Sequence, residues 1–83
     1  MREKYYVEYV KTGYNTLNEA RASACRVMDR IGITEVQIID ENYRSVGYVE
    51  YSNPGCKPYW KKAGRTHAYH VVEADGSIRR RSL

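Results

Sequence analysis

The chain has 83 residues, 42% of them apolar and 29% charged, and carries a formal net charge of +4. That length supports one domain, residues 1–83, with one modest core, which excludes a second domain and leaves little room for a deep enzyme cleft. Two cysteines are too few for a disulfide-rich secreted scaffold, no signal-type apolar run precedes the first charges, and no apolar run could span a membrane, so a cytoplasmic protein is expected.

Residues 5–10, Tyr-Tyr-Val-Glu-Tyr-Val, are aromatic and β-branched and end at the turn-like Thr12-Gly13-Tyr14-Asn15, which predicts a first strand. Tyr5, Val7 and Tyr9 would line one face and Tyr6, Glu8 and Val10 the other. Either choice leaves a tyrosine pointing away from the core.

Thr16-Leu17-Asn18-Glu19 has the spacing of a capping box and predicts a helix start. At about 100° per residue, Leu17, Ala20, Ala24, Val27, Met28 and Ile31 form one stripe, and Gly32 supplies the stop. Ala20 and Ala24 are small enough for the helix to lie close on a sheet. Met28 reads as core filling.

Residues 35–40 and 45–51 are β-rich runs joined by Glu41-Asn42-Tyr43-Arg44, a connection of hairpin length. Val36 and Ile38 would face the helix, with Gln37 and Ile39 opposite. On the partner strand, Val46 and Tyr48 share one face and Gly47, Val49 and Tyr51 the other. Gly47 inside a strand predicts a bulge or a close backbone approach.

Residues 53–65, Asn-Pro-Gly-Cys-Lys-Pro-Tyr-Trp-Lys-Lys-Ala-Gly-Arg, read as one long irregular connection holding both prolines and the single tryptophan. A strand over 67–73 comes next, then Asp75-Gly76 as a hairpin turn, then a short cationic edge strand over 78–81. The predicted fold is therefore α+β, a single helix packed on a four- to five-stranded antiparallel sheet in the order β-α-β-β-β, with a short fifth strand.

Charge is uneven along the chain. Residues 1–50 carry seven Lys or Arg against eight Asp or Glu, whereas residues 51–83 carry seven against two, a local net of +5. Lys57, Tyr59, Trp60, Lys61, Lys62 and Arg65 interleave cations with aromatics, and Arg79, Arg80 and Arg81 could extend the track. Nucleic acids suit this mixture, because cations release phosphate counterions while aromatic faces stack on bases. The competing explanation is that Tyr59 and Trp60 tuck a loop onto the core and the lysines solvate it.

Nine tyrosines without one phenylalanine point to rings that keep a hydroxyl wet, as at interfaces. Tyr5, Tyr6, Tyr9, Tyr48, Tyr51 and Tyr69 are candidates for a sheet face with no second layer over it. Cys56, His67 and His70 form Cys-x10-His-x2-His, but zinc takes four ligands, usually in paired spacing, and residues three apart on a strand face opposite ways. Neither a metal nor another cofactor is predicted, and a Cys–His nucleophile pair lacks a third orienting group. Arg79-Arg80-Arg81-Ser82 resembles a basophilic kinase site and a nuclear-localisation patch, both common by chance.

Phosphate loops and His-Glu zinc motifs are absent, and Glu8, Asp40, Glu41, Glu50 and Glu73 show no pattern that places two in one cleft. A non-enzymatic binding module is expected. Its leading partner is a nucleic acid, held through Lys57, Tyr59, Trp60, Lys61, Lys62, Arg65, Arg79, Arg80 and Arg81. The alternative is a larger protein or nucleoprotein complex, docked by a tyrosine-rich sheet face and basic loop as a phage or mobile-element inhibitor or adaptor would dock; a second copy of the chain is a further candidate partner.

Overall fold

The computed structural model describes residues 3–51, 57–64 and 70–80. One helix, α1 (Leu17–Ile31), lies against one face of an antiparallel sheet built from β1 (Tyr5–Val7), β2 (Gly13–Tyr14), β3 (Glu35–Asp40), β4 (Ser45–Glu50), β5 (Tyr59–Lys62), β6 (His70–Val72) and β7 (Ile78–Arg80). Their spatial order is β2-β1-β3-β4-β5-β6-β7. The α+β class matches the sequence pattern, but the sheet has seven strands in place of the predicted four to five.

The two added strands lie where turn chemistry masks them. Gly13–Tyr14 has the sequence of a turn, yet Tyr14 pairs with Tyr5 and Gly13 with Tyr6. Tyr59–Lys62 has the sequence of an irregular connection, yet it lies between β4 and β6 and pairs with both. The first strand is also shorter than predicted. It ends at Val7 because the Val10 N–H donates to the Val7 carbonyl at 3.0 Å and closes a turn through Glu8 and Tyr9.

The helix obeys its sequence signals. The Thr16 side chain accepts the Glu19 N–H at 3.2 Å, and its hydroxyl donates to the Glu19 carboxylate at 2.9 Å, so the two ends of the box are joined side chain to side chain. Gly32 ends the helix in the left-handed conformation, with its N–H on the Met28 carbonyl at 2.9 Å. Ala20, Ala24, Val27 and Met28 are buried as the stripe requires, whereas Ile31 in the last turn stays 49% exposed.

Three further helix positions, Arg21, Ala22 and Ser23, are also buried. The β6–β7 turn sits against Arg21 and Ala22: Arg21 donates to the Gly76 carbonyl, and a Cβ on Gly76 would overlap the Asn18 carbonyl and crowd the Ala22 amide. Ser23 accepts the Tyr14 hydroxyl.

Register sorts the side chains into two faces. Val36, Val49, Trp60 and His70 form one helix-side row, and Ile38, Gly47 and Lys62 another. On the opposite face, Glu35, Glu50, Tyr59, Val71 and Arg79 run across five strands, beside Gln37, Tyr48 and Lys61. Val7, Val36, Ile38, Val49, Trp60 and Val72 meet Ala20, Ala24, Val27 and Met28 in the core.

Ile38 pairs with Gly47 but Ile39 with Ser45, so Val46 is a bulge and packs against the core instead of sharing a face with Tyr48. Gly47 meets its predicted close approach. A Cβ there would fall 2.5 Å from the Lys61 carbonyl oxygen and 2.7 Å from the Trp60 ring.

Gly76 combines backbone overlap with a φ of 86°, a conformation that L side chains rarely adopt. Gly76→Ala should cost about 3 kcal/mol and lower the thermal midpoint by roughly 10 °C or more in a domain of this size. A melting temperature within two or three degrees of the parent, on the order of experimental scatter, would mean that the turn is not seated on the helix.

Candidate binding face

Strand alternation decides which part of the Tyr59–Lys62 run can touch a ligand. Trp60 points to the helix side, opposite Val49 and His70, and is only 5% exposed. It is a core residue and presents no face on which a base could stack, which corrects the expectation drawn from its neighbours. Tyr59 and Lys61 consequently point the other way.

Trp60 is partnered by Arg21, which in the sequence is only one cation among seven in its half of the chain. Its guanidinium carbon lies 5.2 Å from the Trp60 ring centroid. The Nε donates to the Gly76 carbonyl at 2.7 Å, and an Nη donates to the Asn18 side-chain oxygen. Burial pushes this guanidinium below its ordinary range, while the charge of Tyr5 acts in the opposite direction.

The remaining cations predicted to bind are divided. Lys57 is 2.5 Å from the Glu73 carboxylate, and the Arg79 Nε is 3.4 Å from the other oxygen of that group. The Lys57 hydrogen bond holds the Glu73 carboxyl below its usual range. Lys61 is 3.1 Å from Glu50 and 5.7 Å from the Tyr48 ring centroid; the Glu50 hydrogen bond raises its pKa. Lys62 and Arg80 are exposed and make no ion pair with a described residue. Arg65 and Arg81 lie outside the described residues, as do Cys56 and His67 of the soft-ligand trio.

The tyrosines separate into three groups. Tyr5, Tyr14 and Tyr51 pack against the core, where Tyr14 donates to Ser23 at 2.8 Å and Tyr51 to Asp29 at 2.8 Å. Tyr6, Tyr48 and Tyr59 are half-buried on the face away from α1, along with Ile39 and Val71. Tyr9 and Tyr43 stand at turns, 65% and 87% exposed. Tyr69 is outside the described residues.

Register also unites carboxylates that look scattered in the sequence. Glu35 and Glu50 are cross-strand partners, and the Glu35 carboxyl is raised by lost hydration first, then by the hydrogen bond and charge of Glu50. The symmetry of the 35–50 hairpin could have found this pair, since the same offset that opposes Val36 to Val49 opposes these two. They lie on a sheet face and not in a cleft, and among the described residues no group of three His, Cys, Asp or Glu could hold a metal ion. The open face thus carries Glu8, Glu35 and Glu50 beside Lys61 and Arg79, a mixed surface in place of a basic track.

No family model, curated protein or solved structure matches the chain. No helix among the described residues is long and apolar enough to cross a membrane.

Cys25 and Tyr51 are both held neutral by the fold. Burial, with help from Asp29, pushes the Cys25 thiol from 9.0 up to about 11. Burial and the bond to Asp29 push Tyr51 from 10.0 to about 12. Folded values above unfolded ones mean stabilisation that is complete below pH 9 and lost as pH rises through about 11 and 12. The urea midpoint should fall across that range, and Tyr51→Phe should lessen the fall above pH 10 and leave the Cys25 part; identical profiles for both proteins would contradict the assignment. Trp60→Ala should cost about 3–5 kcal/mol as a core truncation, read as a lower urea midpoint, and an unchanged midpoint would place the ring outside the core.

Proposed function

We propose that the chain is a non-enzymatic protein-binding module that docks a larger partner through the sheet face opposite α1, as a stand-alone inhibitor or adaptor would. The carrying observation is the composition of that face: Tyr6, Tyr48 and Tyr59, with Ile39 and Val71, uncovered by any described element and set among paired charges. Tyrosine brings large contact area with few rotatable bonds and is enriched among residues that dominate interface energies. Lys61 is already drawn across Tyr48 to Glu50, so part of its ordering precedes contact with a partner.

Two observations weigh against a polyanion on this face. Its cations are tied to carboxylates, and its tryptophan is in the core. A nucleic-acid reading retains one specific support: Lys62 and Arg80 are exposed, lack ion pairs with described residues, and both lie on the helix side of the sheet by register. Arg79 does not join them, because register places it on the opposite face and it pairs with Glu73.

The two readings separate by mutation and salt. Affinity capture from the native host should isolate a stoichiometric protein complex that Tyr48→Ala with Tyr59→Ala weakens by at least about 30-fold, the effect of losing roughly 2 kcal/mol. Lys62→Glu with Arg80→Glu should change that affinity by less than about threefold, as rim charges do. Absence of any protein partner, together with DNA or RNA binding that falls steeply with salt and is lost in the Lys62→Glu, Arg80→Glu protein, would replace this reading with the nucleic-acid one.

A further inference from the structure

Tyr43 and Tyr9 are the two most exposed large hydrophobic side chains among the described residues. They are also the non-glycine residues there with positive φ, 63° and 69°. Each occupies a turn position that favours glycine. Tyr43 donates its N–H to the Asp40 carbonyl at 3.0 Å, and the Asp40 carboxylate accepts the N–H groups of Asn42 at 2.8 Å and Arg44 at 3.0 Å. Tyr9 is the third residue of the turn that the Val10 N–H closes on Val7.

A left-handed backbone crowds the Cβ of a bulky residue, and a ring left in solvent returns little burial to offset that strain. The free protein would fold more easily with glycine at position 43. The tyrosine therefore asks for an explanation outside the free fold.

Tyr43 stands at one end of a groove of about 460 Å³ along the open side of β1 and β3, formed with Tyr6, Glu8, Gln37, Ile39 and Glu41. Among the described residues, two carboxylates and no cation line it. Glu41 makes no hydrogen bond or ion pair with a described residue, and Glu8 accepts one bond, from the Gln37 N–H at 3.3 Å. Gln37, which Glu8 touches, lies three residues before Asp40, roughly 10 Å along the strand, and Glu41 follows in the 40–43 turn at the far end of the groove. Tyr6 and Ile39, cross-strand partners, form the apolar floor between those ends.

We propose that this groove binds an extended segment of the partner protein with a basic side chain on either side of an apolar one, in the spacing cation-x-apolar-x-cation. Side chains two apart on an extended chain share a face, so the cations fall about 13 Å apart, over Glu8 and Glu41, with the apolar group over Tyr6 and Ile39. Tyr43 closes over the end of the segment. This assignment rests on the protein-binding reading of the open face and names the chemistry that the face selects.

The test uses the peptide acetyl-Ser-Lys-Ser-Leu-Ser-Lys-Ser-amide, titrated into the full chain and monitored by amide chemical shifts. Shift changes should map to β1, β3 and the 40–44 turn. A peptide with glutamates for lysines should produce none, and one with adjacent lysines should bind at least about tenfold more weakly. Tyr43→Gly should raise the thermal midpoint by about 4 °C while weakening the lysine peptide at least about tenfold. Glu41→Lys should abolish binding without lowering the midpoint.

A lower midpoint for Tyr43→Gly would make the ring a support of the fold and overturn the proposal. Equal binding of the two spacings, or shifts mapping to another face, would overturn it as well. Failure of the parent chain to bind the lysine peptide sinks the groove assignment alone, because dependence of the captured complex on Tyr48 and Tyr59 is measured separately. Loss of that dependence with peptide binding intact would sink the wider face and leave the groove.

Discussion

The placement of one guanidinium governs how this chain divides its residues between core and surface. Arg21 lies over Trp60, donates to the carbonyl of Gly76 and holds the Asn18 side chain, so a single group joins α1, β5 and the β6–β7 turn. A buried cation is costly to desolvate, and here hydrogen bonds and an aromatic face stand in for water. Shortening it would leave the Gly76 carbonyl without this donor in a buried position, which costs more than the bond itself contributes. The contact also fixes the outer surface. With Trp60 directed inward, strand alternation sends Tyr59 and Lys61 outward, into register with Tyr48, Glu50, Val71 and Arg79.

Much of the fold was legible because local signals agreed with the tertiary outcome. Thr16, Glu19 and Gly32 bounded α1, its small stripe predicted close packing, and alternation in 35–40 oriented Val36 and Ile38. β2 and β5 were hidden for a physical reason: short segments of two and four residues are held in place by pairing with adjacent strands, so their own sequences need carry little β signal. Tyr-Trp-Lys-Lys reads as a basic aromatic loop until the strands beside it are known. Gly47 signalled a bulge or a close approach, and the strand has a bulge at its neighbour Val46. What the sequence did not show is that Val46 thereby leaves the face of Tyr48, because one extra residue reverses a strand segment without changing its composition.

The open tyrosine-bearing sheet face was legible from sequence, whereas the pairing of its cations was not. Tyrosine enrichment and an uncovered sheet face are both inferred from sequence, but the basic excess of residues 51–83 suggested a continuous cationic track. Folding brings part of that excess to acids that sequence distance concealed: Lys57 and Arg79 meet Glu73, and Lys61 meets Glu50. Lys57 and Arg79 are exposed and Lys61–Glu50 is half-buried at the surface, and ion pairs that near to water contribute little to stability. They matter more for what the surface attracts, since a cation beside a carboxylate projects a weaker field than the same cation alone.

Among the described residues, no element lies over the face of the sheet opposite α1. Solubility alone could be met there by lysine, glutamate and threonine. Instead the face holds Tyr6, Tyr48 and Tyr59, and its margin holds Tyr43 in a backbone conformation better suited to glycine. A phenylalanine at these sites would give the same contact area with no hydroxyl to keep wet, and a glycine at position 43 would relieve the turn. Each choice moves away from the most comfortable free protein in the same direction, toward rigid amphipathic rings held ready at a surface. Local rules broken together at one place, while the caps, core and hairpins elsewhere obey theirs, are the pattern expected where function opposes stability.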